Sequence, residues 1–158
     1  MGRKVLITFL ALIGLILLTF IGLGIASHYS SPELGIVDGK LRACPDSPNC
    51  VCSEAYAETD ASHHIPPVKL SGNNTEAPWK LLRQAVIDQG GQIIREDNSY
   101  LHAEFTSSIF RFVDDLELRM DRQNGLIHLR SASRVGRSDL GANRKRVEAI
   151  WHRFGAAD

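Results

Sequence analysis

The positions of apolar residues divide the chain into a long uncharged run at its start and a region of alternating and helical patterns after it. The run extends from Val5 to Ala26, 22 residues, and follows Arg3 and Lys4. As a helix it would measure about 33 Å, enough to cross a hydrocarbon core of roughly 30 Å. The pattern predicts a transmembrane anchor within residues 1–30.

A cleaved signal peptide is the alternative interpretation of this run. Gly24 and Ala26 are small residues that suit a cleavage site before Ser27. Signal peptides have apolar regions of roughly 7–15 residues, so the length favours an uncleaved anchor. No cysteine lies near the end of the run, which disfavours a lipoprotein anchor.

The distribution of positive charge predicts the orientation. Arg3 and Lys4 precede the run, and the next lysine or arginine after it is Lys40. Because basic flanks stay on the cytoplasmic side, we expect the N-terminus in the cytoplasm and the remainder outside it. The expected location is the inner (cytoplasmic) membrane, crossed once, with the C-terminal domain in the periplasm.

The rest of the chain divides into two parts. Residues 31–62 are mostly polar and are predicted to form a tether that carries a short cysteine loop. Residues 63–158 have the patterns of an α+β globular domain. Its first strand is expected within residues 63–70, at a sheet edge, because Pro66 and Pro67 lack backbone donors.

Two helices are predicted in this domain. The first follows Thr75, a favourable N-cap residue, and ends before Gly90. The second follows Ser138 or Asp139. The residues expected to face the core are Trp79, Leu82, Ala85 and Val86 in the first helix, and Leu140, Val147, Ile150, Trp151 and Phe154 in the second.

Alternating residues between the helices predict four strands. The first two are Gln92–Glu96 and Tyr100–Thr106. The other two form a hairpin that turns at residues 124–125, an Asn-Gly pair. Their core-facing residues are Phe110, Phe112, Leu116, Leu118 and Met120, followed by Ile127 and Leu129.

The order strand, helix, four strands, helix predicts an antiparallel sheet with both helices on one face, an α+β fold preceded by a transmembrane helix. The same order occurs in the TATA-binding-protein-like folds, in which helices pack on a curved sheet. That likeness is one of topology and carries no function.

The hairpin at residues 124–125 allows two registers. A two-residue turn sets Asp115 opposite Arg134, whereas a bulge shifts the pairing by two and sets Glu117 opposite Arg130. Both registers keep apolar residues on one face and charged residues on the other.

Asp114 is the exception to this alternation, because it falls on the apolar face between Phe112 and Leu116. Either a bulge turns it outward, or it is buried and paired with an arginine or with backbone amides.

The three cysteines, Cys44, Cys50 and Cys52, follow the anchor. In an oxidising compartment a disulfide is expected, and the odd number leaves one thiol. Cys44 and Cys50 would close a short loop, whereas Cys50 and Cys52 are too close together to pair well. The alternative is a metal site that combines these thiols with His63 and His64, although the spacing matches no common zinc pattern.

Charge and motifs limit the possible functions. The chain has 18 lysines and arginines and 18 acids. The first thirty residues contain two of the basic residues and no acid, which leaves the outer part with a net charge of −2 and argues against binding to nucleic acid. A nucleophile elbow, a phosphate-binding glycine loop and a metal motif are absent from the sequence, so neither a metal nor a cofactor is expected.

The outer region resembles the family called domain of unknown function 1499 (DUF1499), which occurs in bacteria and plant plastids. The resemblance covers nearly all of residues 34–154. Three segments carry it, namely LGIVDGKLRACPDSPNCVCS at 34–53, FRFVDDLE at 110–117 and RSASRVGRSDLGANRKR at 130–146.

This resemblance implies a cysteine pair and a set of residues to test, but no established activity. Cysteines recur in the family at the positions of Cys44 and Cys50, whereas the position of Cys52 is more often serine, which supports a disulfide between Cys44 and Cys50. The candidate ligand-binding residues are Asp114, Asp115, Glu117, Arg130, Ser131, Ser133, Arg134, Asp139, Asn143 and Arg146.

Three hypotheses follow for function. The first is a membrane-anchored module that binds an anionic small ligand or a lipid head group through its arginines and carboxylates. The second is an accessory or scaffold protein of an envelope complex, with the same face as its partner surface. The third is a hydrolase-type enzyme in which Asp114 and Asp115 exchange protons with His102 or His128, two histidines that we expect at the surface.

Overall fold

The N-terminal run forms a single long helix. The computed structural model describes residues 2–54, 60–70 and 75–155. In it, helix α1 covers Gly2–Tyr29, 28 residues, and is long and apolar enough to cross a membrane. Its side chains are mostly exposed, as a helix surrounded by lipid requires, and only Gly24 and Ser27 are buried.

A six-stranded antiparallel sheet forms the centre of the outer domain. Four strands follow one another across it, in the order β5, β6, β7, β8, and two short strands, β3 and β4, pair with β8. The strands are β3 (Cys50–Cys52), β4 (Val68–Lys69), β5 (Gln92–Glu96), β6 (Tyr100–Thr106), β7 (Val113–Asp121) and β8 (Leu126–Ser133).

Helices α2 (Glu76–Asp88) and α3 (Ala142–Gly155) pack on one face of this sheet. The predicted α+β fold and the predicted order of elements from β4 onward are confirmed. Apolar residues from both helices and from alternate strand positions form one core, which includes Trp79, Leu82, Leu101, Leu116, Leu118, Ile127, Leu129, Val147 and Ile150.

The two helices begin near their predicted caps. Thr75 is the N-cap of α2, but its hydroxyl accepts a hydrogen bond from Arg122 at 2.7 Å instead of capping the helix. Before α3, the Asp139 carboxylate accepts bonds from the backbone amides of Gly141 and Asn143. The prediction for Leu140 was wrong: it precedes the helix, adopts a positive φ and is 88% exposed.

Strand β7 begins later than the alternation predicted. Phe110 and Phe112 do not belong to it, because Arg111 adopts a left-handed φ of 61° that ends the extended conformation. The two phenylalanines lie instead in a turn, residues 107–112, where they contact α1. Alternation alone could not distinguish this contact from a core-facing strand.

Strand β4 is also shorter than predicted. Within residues 63–70 the strand contains Val68 and Lys69, which pair with Ile127 and Leu126, and His64 forms an isolated parallel bridge with Cys52. The two prolines before Val68 supply no backbone donor, which limits pairing to the residues after them.

The segment predicted as a tether packs on the second face of the sheet. It forms a hairpin of β1 (Ile36–Val37) and β2 (Lys40–Leu41), followed by β3. The backbone amide of Gly35 donates to Glu117 at 2.6 Å, and the amide of Leu41 donates to Glu54 at 3.0 Å. Glu54 in turn bonds Arg119 of β7, so the segment is attached to the sheet and this face is covered too.

Cys44 and Cys50 form a disulfide, and Cys52 is buried and lies outside it. The disulfide leaves two of the three thiols unavailable for the alternative metal site. His63 is engaged as well, since its Nδ1 lies 2.9 Å from the carbonyl oxygen of Cys50.

The hairpin of β7 and β8 adopts the second of the two predicted registers, with Glu117 opposite Arg130. Asp115 still reaches Arg134 through its side chain. Asp114 is buried on the helix-bearing face, where it pairs with Arg146, so the second of the two possibilities for this residue is confirmed.

Candidate functional site

The ten candidate residues separate into two groups on opposite faces of the sheet. Asp115, Glu117, Arg130 and Arg134 lie under the N-terminal segment, and we call this group with its neighbours the charged face. The others lie at the end of the sheet beside α3 and form what we call the polar cluster, namely Asp114, Ser131, Ser133, Asp139, Asn143 and Arg146.

The charged face is a network of buried ion pairs. Its arginines each bond a carboxylate: Arg119 with Glu54 at 2.9 and 3.1 Å, Arg130 with Glu117 at 3.1 Å, and Arg134 with both oxygens of Asp115 at 2.8 Å. Because such pairs are desolvated, the removal of one partner would leave an uncompensated buried charge. Arg130 keeps one buried donor, Nε, without an acceptor among the described residues.

Asp115 has the most constrained carboxylate of this face. Burial opposes its ionisation, but hydrogen bonds and charges from Arg134 and His102 outweigh burial and hold the pKa of Asp115 below its ordinary value. The same bonds raise the pKa of Arg134. His102 lies 2.7 Å from Asp115 through Nε2 and is buried. The expectation that His102 and His128 lie at the surface was wrong, because both are buried, and His128 lies against Ser53 and Glu54.

Glu117 accepts hydrogen bonds from three different parts of the chain. Tyr100 donates its hydroxyl at 2.7 Å, Gly35 its backbone amide at 2.6 Å, and Arg130 its guanidinium. Burial and the charge of Glu117 raise the pKa of Tyr100, so its proton stays in this bond. Glu117 thus links the sheet to the N-terminal segment that covers this face.

One set of side chains has a spacing that suits a metal ion. Ligand atoms of His102, Glu104 and Asp115 lie within 4.8 Å of one another. Arg134, however, bonds both carboxylates. A cation would have to displace this guanidinium, so the donor set is better explained as part of the charged face.

The polar cluster surrounds the pair of Asp114 and Arg146. Arg146 Nη2 lies 2.6 Å from Asp114, and its guanidinium stacks 4.6 Å from the centre of the Phe105 ring. Asn143 links the surrounding groups: its side chain accepts from Ser131 at 2.6 Å and donates to Ser133 at 3.0 Å.

A cavity of about 240 Å³ lies between this cluster and α1. Its apolar wall includes Phe20 and Leu23 of α1, and its polar wall includes Asp114, Ser133 and Asp139. Apolar side chains with a few convergent polar groups are typical of ligand sites.

Helix α1 is held against this end of the domain. A Cβ atom on Gly24 would lie 1.8 Å from the carbonyl oxygen of Phe110, so only glycine permits this approach. The hydroxyl of Ser27 accepts a bond from the amide of Val113 at 3.1 Å and donates to the carbonyl of Gly24 at 2.6 Å. This contact was not predicted from the sequence, because no local pattern links Gly24 and Ser27 to residues so distant in the chain.

The described residues therefore define an α+β domain whose sheet is covered by helices on one face and by the N-terminal segment on the other, and which packs against an N-terminal helix suited to a membrane. The family model for a protein of unknown function (DUF1499) matches residues 40–154, which is most of the chain. The chain belongs to the DUF1499 family. No curated protein matches it.

Proposed function

We propose that this protein is a membrane-anchored extracytoplasmic domain that binds a lipid head group in the cavity between α1 and the polar cluster. The observation that carries the proposal is the composition of the cavity. Residues of a helix suited to the bilayer, Phe20 and Leu23, share it with Asp114, Ser133 and Asp139. A lipid has the same combination of an apolar chain and a polar head.

Of the two ligand classes expected from the sequence, an anionic small ligand and a lipid head group, the distribution of charge supports the lipid head group. On the charged face, each of the arginines Arg119, Arg130 and Arg134 is already bonded to a carboxylate. An anion there would have to compete with internal pairs. At the cavity, two carboxylates and three serines are the polar lining, which favours a head group with ammonium or hydroxyl donors.

Larger depressions elsewhere are less suited to this role. One of about 840 Å³ and one of about 600 Å³ are open surface grooves, and Arg130 is the only candidate residue that lines either. Neither depression has an α1 residue in its lining, so neither combines the anchor with the polar cluster.

The hydrolase hypothesis is less well supported by the geometry. Asp114 and Asp115 are neighbours on one strand, so their side chains point to opposite faces and do not share a substrate. The hypothesis of an envelope partner stays a prediction, with co-purification of a defined protein as its test.

The test is native mass spectrometry of the full-length protein, extracted in mild detergent from its own membrane. The wild type is expected to retain a lipid mass that leaves on denaturation. Val135 lines the cavity, so Val135→Trp would fill it and reduce the retained lipid by about tenfold or more, a change of at least about 1.4 kcal/mol.

Ile94→Trp is the matched control, because Ile94 is a half-exposed residue of the edge strand β5 and does not line the cavity. It is expected to retain lipid as the wild type does. Equal lipid retention by both variants, or a folded wild type that carries no lipid, would refute the proposal.

A further inference from the structure

We infer that the turn at residues 107–112 is a second membrane contact, which enters the outer leaflet of a phospholipid bilayer beside α1. The inference rests on the proposed membrane anchoring, since the position of α1 sets the depth of the turn. It concerns the tip of the turn at Ile109, which does not line the lipid-binding cavity, whereas Ser107 and Phe112 at the ends of the turn do.

The position of Phe20 along α1 sets this depth. Phe20 lies six residues before Ala26, the end of the apolar run, which corresponds to about 9 Å along a helix. When the run spans the hydrocarbon core, the Phe20 ring lies inside the outer edge of that core. The ring centroids of Phe110 and Phe112 lie 5.0 and 6.3 Å from the Phe20 ring. Both distances are shorter than the depth of Phe20 below the edge of the core, so both rings also lie inside that edge.

The turn cannot move freely away from that level. It is closed by two bonds between its ends: the Ser107 amide donates to the Phe112 carbonyl at 2.8 Å, and the Phe112 amide donates to the Ser107 hydroxyl at 2.9 Å. The close contact of Gly24 with Phe110 fixes it to the helix. These bonds satisfy the amides at the two ends of the turn, which lowers the cost of placing it against the membrane.

The composition of the turn also suits lipid. Ile109, at its tip, is 79% exposed, which is unfavourable in water and favourable among acyl chains. Arg111, next to it, is exposed and has a long side chain that can reach phosphate groups from an apolar position. Aromatic rings beside an apolar tip and a basic residue are typical of segments that lie at a membrane interface.

The experiment uses three variants of the full-length chain, each with a spin label at one site, in nanodiscs of phosphatidylethanolamine and phosphatidylglycerol. Cys52→Ser removes the cysteine that lies outside the disulfide, and Ile109→Cys, Ile94→Cys and Leu17→Cys supply one labelling site each. Collisions of the label with oxygen, which concentrates in lipid, are compared with collisions with a water-soluble nickel complex.

The label at position 109 is expected to collide more with oxygen than with nickel, as the label at position 17 of α1 does. The label at position 94 is expected to show the reverse. If position 109 matches position 94 while position 17 reports lipid, the turn lies in water and this inference falls, although the anchor stands. If position 17 itself reports water, the anchor and the inference fall together.

Discussion

At the scale of single residues, the charged face depends on a few buried carboxylates. Asp115 bonds Arg134 through both oxygens and also contacts His102. Its pKa is lowered in the folded state, so the ionised carboxylate stabilises the fold at every pH above its ordinary pKa of about 3.9. This contribution is lost as the pH falls through the lower, folded-state pKa.

We therefore predict that Asp115→Asn destabilises the protein at neutral pH by about 3 kcal/mol, because Arg134 loses the more deeply buried of its two carboxylate partners and keeps Glu104. Below about pH 4, the stability of the wild type should fall more steeply than that of the variant. Urea denaturation of the full chain in detergent, from pH 6 to pH 2.5, measures both effects.

Glu33→Gln is the control for this experiment, because the pair of Glu33 and Arg42 is exposed and worth at most about 1 kcal/mol. If Asp115→Asn and Glu33→Gln were equally stable at pH 7, Asp115 would not hold the charged face together.

Sequence patterns identified most of these residues but not all their environments. The alternation of residues along β7 placed Asp115 and Glu117 on the face opposite the apolar core. It also placed Asp114 on the core face, where a carboxylate must be paired. The pattern could not show that the other face is covered as well, because the cover is a hairpin of two-residue strands without any period. For that reason His102 and His128 were expected at the surface.

At the scale of elements, the junction of α1 with the turn at residues 107–112 depends on one glycine. Gly24→Val would place side-chain atoms against the Phe110 carbonyl, a backbone atom that cannot move aside cheaply. We predict a lower melting temperature in detergent and faster proteolysis at the turn.

Gly22→Val provides a matched control in the same helix, because a Cβ atom at Gly22 would meet nothing within 4 Å. It should melt and resist protease as the wild type does. Equal behaviour of the two variants would mean that α1 does not dock where the structure places it.

Regular elements were predicted well where a period extends over several residues. The bounds of β5 and β6 agree with the alternation, and Trp79 and Val147 face the core as the helical spacing indicates. Phe110 and Phe112 followed the alternation of β7 but belong to the turn. Their partner is Phe20, about ninety residues earlier, and no local pattern records a contact across that separation.

At the scale of the whole molecule, the disulfide of Cys44 and Cys50 stabilises the segment that covers the charged face. It closes a short loop, so the expected contribution is roughly 2 kcal/mol. Reductant should lower the denaturation midpoint of the wild type in detergent, and the corresponding loss in the free energy of unfolding should be roughly 2 kcal/mol.

Cys52→Ser should keep this sensitivity to reductant, because Cys52 is outside the disulfide. Loss of the sensitivity in Cys52→Ser would show that a different pair forms in the membrane. An intact mass two daltons below the reduced value would confirm the bond in protein taken from its own membrane.

The bonds between the N-terminal segment and the sheet have a consequence for export of the chain. Gly35 is 82 residues from Glu117, and Ser27 is 86 residues from Val113. In the proposed extracytoplasmic orientation, the part of the chain that follows the anchor therefore emerges first but meets its partners only after β7 has crossed the membrane. Until then the segment has no sheet to cover, and it is mostly polar. The segment can therefore stay hydrated beside the bilayer until β7 follows and Val113 bonds Ser27 of α1.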